Sequence, residues 1–378
     1  MKSRMLFPIV LVAFAGTVFA QTTLNVITAG DQNMVDYVNN YLAPKFEAAN
    51  PGVKVRAVGT GPGDAGSQKI YEKLSAQQKA NSQEWDVDVA VVHQLASATM
   101  VNEKLLMPYR NDVSVGKLVS RDTAKNALGA NVDGYVLPMF HSQIVFAYNP
   151  DLVKNPPKSF QELNDWVKKN PKQFGYNGVK GGMSGVGFVT GWVSAYSGMG
   201  DKLEKGPYDP SAAPAIDKAL SGLKEFNQYV VMTPGNAGTL DMLNRGEIAM
   251  GPVWVDMFYT WQADGRMNPK IKLTLPSPGL PGQPMYYVIP AKAAHAALAK
   301  KFIELAESPE VQADGIIKQF NWYPGIDPQY VQPKLDQAAW NKLFTDISPA
   351  DLSKYGRPFP LSPYFKEITE GYERVVLK

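Results

Sequence analysis

The sequence predicts an α/β protein of two lobes, and three observations carry that reading. Short β-branched runs alternate with helical stripes from residue 24 to residue 92, the order that builds a parallel sheet with helices on both faces. Two later segments, residues 134–149 and 275–290, hold apolar runs broken by proline, so each could leave one sheet and enter another. At 378 residues the chain is also longer than a single hydrophobic core usually organises.

The elements follow in order. Lys2 and Arg4, an apolar run over residues 6–15, and the small residues Val18 and Ala20 make the three parts of a secretory leader cut ahead of Gln21. The run is too short to span a bilayer, so a soluble, exported mature chain is expected. A strand over residues 24–28 ends at Gly30-Asp31. Residues 34–49 place Met34, Val38, Tyr41, Leu42 and Phe46 on one helical stripe, which Asn50-Pro51-Gly52 stops. A second strand, 53–58, leads into TGPGDAGS (60–67), read as a loop before a helix over 68–80; VDVAVV (87–92) is a buried third strand. Ligands of such sheets sit beyond the carboxyl ends of the strands, which nominates Asp31, the loop 61–67 and His93. Farther on, Ser159 caps a helix within 158–168, residues 175–200 mix glycines with aromatic residues, and 220–231 reads as helical. A strand over 285–290 and a helix over 293–306 precede an irregular stretch, 321–332. Residues 87–92 and 248–255 are expected in separate sheets, with the chain pivoting near His141, Leu275 and Asn321.

Composition removes several functions. A net charge of +3 is no footprint for nucleic acid, and the absence of cysteine excludes disulfides, thiol nucleophiles and cysteine metal sites. GPGDAG (61–66) fits the spacing of a dinucleotide loop, but Pro62 occupies the tight turn, the unit follows the second strand, and export removes the chain from NAD. No lysine follows Gly66, so it is no phosphate loop of the nucleotide-hydrolase kind either. What survives is a set of backbone N–H groups at a helix start, with Ser67 able to cap, suited to a carboxylate, phosphate or oxygen-rich ligand. A turn that only needs positive φ would read the same way. His93 and His141 could face one cleft, yet neither HExxH nor GxSxG is present; a hydrolase using either histidine as base stays open as an alternative. Trp192, Trp254, Tyr286, Tyr287, Trp322 and Tyr323 fall in or beside expected loops, where flat faces stack on sugar rings or cations, although any one of them could be core.

Six phrases in order, FEAANPGVKV (46–55), WDVDVAVVH (85–93), YVLPMFHSQIVFAYNPDLV (135–153), PPKSFQELNDWV (156–167), RGEIAMGPVW (245–254) and AAHAALAKKFIELAESPEVQ (293–312), give the chain a resemblance. It resembles the extracellular solute-binding proteins of ABC importers, the maltose-binding-like superfamily. The resemblance implies a two-lobe periplasmic-binding-protein (Venus flytrap) fold, each lobe a mixed sheet flanked by helices, joined by crossing strands. It implies no catalysis, cofactor or metal; a monomer in the periplasm would deliver its solute to an inner-membrane permease, with a chemosensory module as the variant. Residues 1–20 would be the leader, 21–140 with 275–320 one lobe, and 141–274 with 321–378 the other. Carried over position by position, the ligand contacts would be Asp31, Gly63, Ser67, His93, His141 and Ser142, then Trp192, Trp254 and Asp256, then Tyr287 and Trp322. A sugar, a polyol or a phosphorylated or anionic derivative is the expected solute.

Overall fold

The computed structural model describes residues 21–321 and 323–378; the expected leader and Trp322 lie outside them. Seven strands carry the architecture: β1 (Thr22–Ala29), β2 (Val53–Gly61), β3 (Val89–Val92), β4 (Leu137–Tyr148), β5 (Met250–Trp254), β6 (Lys272–Thr274) and β7 (Leu280–Val288). β1 lies between β2 and β3, parallel to both, as the opening alternation requires. All four residues of β3 are buried, the mark of a parallel strand covered on both faces. β7 runs antiparallel between β3 and β4 and completes the first sheet, β2-β1-β3-β7-β4.

β4 is the seam. Its residues from Leu137 to Gln143 pair with β7, whereas Ile144–Tyr148 pair with β5 and, at the far end, with β6. Hydrogen bonding is therefore continuous from β2 to β5, and the expectation of two unconnected sheets is corrected: a strand long enough to serve both links them. Separation exists in the apolar cores instead. One core takes Leu24 to Phe140 and then Met285 to Leu343; the other takes Leu128, Ile144 to Leu280, and Ile347 to Val376. The fold is thus the expected two-lobe α/β arrangement with mixed sheets, flanking helices and crossing strands. β7 is the second crossing strand, and Tyr323-Pro324, paired with His141 and Phe140, is the third.

Two local expectations fail for physical reasons. The helix expected over 68–80 runs Gly63–Lys79, with Pro62 at its N-cap, so Gly63 to Ser67 form its first turns and not a loop. Proline just before the first helical residues presets the entry, which the count of glycines concealed. The glycine-rich stretch holds the helix Met183–Tyr196. Its glycines allow close packing: a Cβ on Gly187 would meet Ile144 Cδ1 at 2.1 Å, and one on Gly191 would meet Leu280 Cδ2 at 2.8 Å. Ser159 does cap its helix, accepting the Glu162 N–H at 3.1 Å.

Trp192, expected in the cleft, is in the second core. Its ring packs 4.8 Å from Phe226 and 4.4 Å from Tyr196, and its indole N–H donates to the Ala219 carbonyl at 2.8 Å. Trp192→Ala is expected to lower stability by about 3–5 kcal/mol, read from urea unfolding, with solute affinity of the folded protein unchanged. Lost affinity at unchanged stability would return Trp192 to the cleft.

Candidate functional site

One cavity gathers residues from both cores and from the crossing strands. The first core contributes the carboxyl ends of its parallel strands: Gly30 and Asp31 after β1, Gly63 after β2 and His93 after β3. The second contributes Met183 and Asn236 from the starts of two helices, and Trp254, Asp256 and Met257 where β5 turns into the helix Val255–Ala263. The floor comes from the crossing strands. Phe140 lies opposite Met285 and Ser142 opposite Gln283, two cross-strand pairs on one face.

Strand alternation decides which expected residues arrive. Ser142 faces the cavity and its neighbour His141 faces away. There the His141 ring meets Arg121 Nη1 at 2.8 Å, Thr123 Oγ1 at 3.1 Å and the Pro324 carbonyl at 3.3 Å. Burial, and next the Arg121 charge, hold its imidazole well below the ordinary range, so it stays neutral. His141 is therefore no part of the cavity. Tyr287 fails by position: it lies two residues past Met285 along β7, opposite Val91 within β3, where it is fully buried with Phe302 6.4 Å away and edge-on. Ser67 neither caps its helix nor reaches the cavity; it is fully buried behind His93. Of the eleven residues expected, Asp31, Gly63, His93, Ser142, Trp254 and Asp256 meet, Ser67, His141, Trp192 and Tyr287 do not, and Trp322 lies outside the described residues.

The electrostatics are one-sided. Burial raises the Asp31 carboxyl above its ordinary value, partly offset by the Asn236 amide, whose Nδ2 donates to Oδ2 at 3.4 Å. That amide is oriented from behind: Asn236 Oδ1 accepts from Asn177 Nδ2 at 3.0 Å and from Ser184 Oγ at 2.7 Å, leaving Nδ2 for Asp31. Burial pushes Asp256 up to about 6; the Ser142 hydroxyl, donating to Oδ1, opposes this, and the charge of Asp31 adds to it. His93 is pulled down to about 4 by burial and is uncharged at pH 7. Among the described residues, no lysine or arginine belongs to the lining. Around the carboxylates stand Met34, Met183, Met257 and Met285, with Phe140 and Trp254: soft apolar walls beside two anionic points.

Met34, Asn33 and Gly30 were reachable from the strand-end rule, and Phe140 from its two-residue offset to Ser142. Gln283 and Met285 depend on β7–β4 register, and Asn236 on how two helices start together; neither leaves a mark in one sequence. Among the described residues, no group of three or more His, Cys, Asp and Glu could hold a metal, and no helix is long and apolar enough to cross a membrane.

Solved structures share this architecture. Maltose-bound T. maritima MalE3 superposes with a TM-score of 0.71 at 16% identity, over 93% of this chain and 95% of that one. The spermidine/putrescine ABC transporter substrate-binding protein PotD from Streptococcus pneumoniae gives 0.65 at 14%, over 94% and 99%. The substrate binding protein of an ABC transporter from Agrobacterium tumefaciens gives 0.64 at 15%, over 96% of each. At such identities these likenesses establish the fold. No curated protein sequence matches the chain. The profile of the family described as bacterial extracellular solute-binding protein matches residues 42–327, most of the chain, and the protein belongs to that family.

Proposed function

We propose that this protein is the exported solute-binding component of an ABC importer, a periplasmic monomer that closes over a small polar solute bearing a charged amine and hands it to a permease. The observation that carries the ligand reading is Asp31 and Asp256 on one cavity whose lining, among the described residues, holds no lysine or arginine. Buried carboxylates are costly until a counter-charge arrives, so an ammonium group gains most where an anion would be repelled. This turns the solute away from the phosphorylated or anionic derivative that the glycine-rich run suggested. A neutral sugar or polyol could donate hydroxyls to both carboxylates but would leave their charge unbalanced. The scaffold itself does not choose, since the maltose-bound and spermidine/putrescine structures share it; the reading rests on the lining.

The lobes, in this reading, follow the cores: residues 21–140 with about 285–343, and 144–280 with 347–378, which moves the returning boundaries from 275 and 321. Closure brings them together at Asn236 and Asp31, and at Gly63, where an added Cβ would stand 3.9 Å from the Gly182 Cα. A hydrolase is disfavoured by geometry. The pair nearest to nucleophile and base is Ser67 with His93, but Ser67 is sealed from the cavity and Ser142 is engaged by Asp256.

Mass spectrometry of the solute released from natively purified protein is expected to find an amine; a stoichiometric sugar phosphate or uncharged polyol overturns the reading. Asp31→Asn and Asp256→Asn should each weaken amine binding by roughly 10- to 100-fold, the scale of a hydrogen bond to a charged group, measured by calorimetry. Affinity should also fall as pH drops through about 6, because Asp256 takes up a proton and loses its attraction for a cation. Asp256→Asn should flatten that dependence. An unchanged slope in the variant would assign the proton elsewhere.

A further inference from the structure

His93 ends β3 and lines the cavity while only 6% exposed. Its Nδ1 lies 2.9 Å from Ser67 Oγ, and the same oxygen accepts the His93 backbone N–H at 3.0 Å. An oxygen that already accepts that N–H keeps its own proton to donate, and Nδ1 is the acceptor it meets among the described residues. A proton on Nδ1 would instead seal the Ser67 hydroxyl hydrogen without a partner in a fully buried position. The ring's other nitrogen, Nε2, has no protein hydrogen bond among the described residues and is not sealed in the interior. Burial keeps the ring uncharged, so one nitrogen alone carries hydrogen.

We infer that Ser67 is a positioning residue that fixes His93 as an Nε2–H donor to the cleft, and that the solute meets this donor with a hydrogen-bond-accepting oxygen. The solute half rests on the amine reading above. The cavity then suits a molecule that joins an ammonium, held by Asp31 and Asp256, to a hydroxyl, carbonyl or carboxylate oxygen, held by His93. A charged diamine has only donors to offer and would set one of them against Nε2–H. The backbone N–H of His93 and its side chain are governed by one buried hydroxyl, so removing Ser67 Oγ changes what the ring presents without altering its position in the chain.

Two measurements test this. Long-range nitrogen NMR of the whole protein carrying labelled histidine, with His93→Gln to assign the signal, reads the tautomer at pH 7. Hydrogen on Nε2 in the native protein and a mixture in Ser67→Ala are expected; hydrogen on Nδ1 in the native protein overturns the inference. Calorimetry then compares 4-amino-1-butanol, 4-aminobutanoate and 1,4-diaminobutane, with their three- and five-carbon counterparts. At the best length an oxygen-bearing amine should bind at least about tenfold more tightly than the diamine, and Ser67→Ala should shrink that ratio. A diamine that binds equally or better overturns the acceptor role while the amine reading stands. If none of these amines binds and the tautomer is as expected, the amine reading falls, and with it the solute half of this inference.

Discussion

Everything in the cleft hangs on the division of hydrogen bonds along β4. Its first half belongs to one sheet and its second half to another, and the change falls between Gln143 and Ile144. Gln143 reinforces that point, its Nε2 donating to the Leu280 carbonyl at 2.7 Å and to the Ile144 carbonyl at 2.9 Å. Two crossing strands are thereby tied where each passes from one core to the other. Gly282 permits the approach, since a Cβ there would meet the Ser142 carbonyl at 2.6 Å. The same strand geometry turns Phe140 and Ser142 inward, so the floor of the cavity sits where the chain crosses from one core to the other. A solute bound there would be felt by both cores.

In the proposed function, the buried carboxylates are what would couple occupancy to closure. Asp31 comes from the first core and Asp256 from the second; one receives a long amide hydrogen bond, the other the Ser142 hydroxyl and the backbone N–H groups of Asp256 and Met257, and burial still raises both carboxyls. Closing an empty cleft brings like charges toward each other in a poorly solvated space, which is why the charge of Asp31 adds to the upward shift of Asp256. In the proposed function, a cationic solute would reverse the sign of that term. It would then have greater affinity for the closed arrangement than for the open one, which is the condition for a ligand to shift an equilibrium at all.

The first sheet was legible because its cause is local. Alternating buried strands and striped helices require little knowledge of what packs against them, and β1, β2 and β3 lie where the periodicity put them. The capped helix Phe160–Lys169 was legible for the same reason. The site was half legible. Strand ends led to Asp31, Gly63 and His93, and the crossing to Ser142, because the topology of parallel sheets implies them. Trp192 and Tyr287 misled because glycine and proline neighbours were read as loops. In fact the glycines press the helix Met183–Tyr196 against Ile144 and Leu280, and Tyr287 lies past the cavity, opposite Val91 and packed on Phe302. Both are consequences of packing partners remote in sequence, and no local pattern records them.

The third crossing shows how little pairing a joint needs when one side chain gathers its loose ends. Tyr323-Pro324 makes only a two-residue pairing with β4, far less than β7 makes. Gln312, fully buried, supplies the rest. Its Oε1 accepts the Gly325 N–H at 2.8 Å, and its Nε2 reaches the Met139 carbonyl at 3.1 Å and Glu307 Oε1 at 3.1 Å. The bulge that leaves Met139 unpaired with β7 is what frees that carbonyl to accept. Glu307 is buried as well, and that burial pushes its carboxyl well above the ordinary range, favouring the uncharged form. A polar cluster of this kind holds the strand through the direction of its hydrogen bonds. It sits apart from the cavity, whose carboxylates are Asp31 and Asp256.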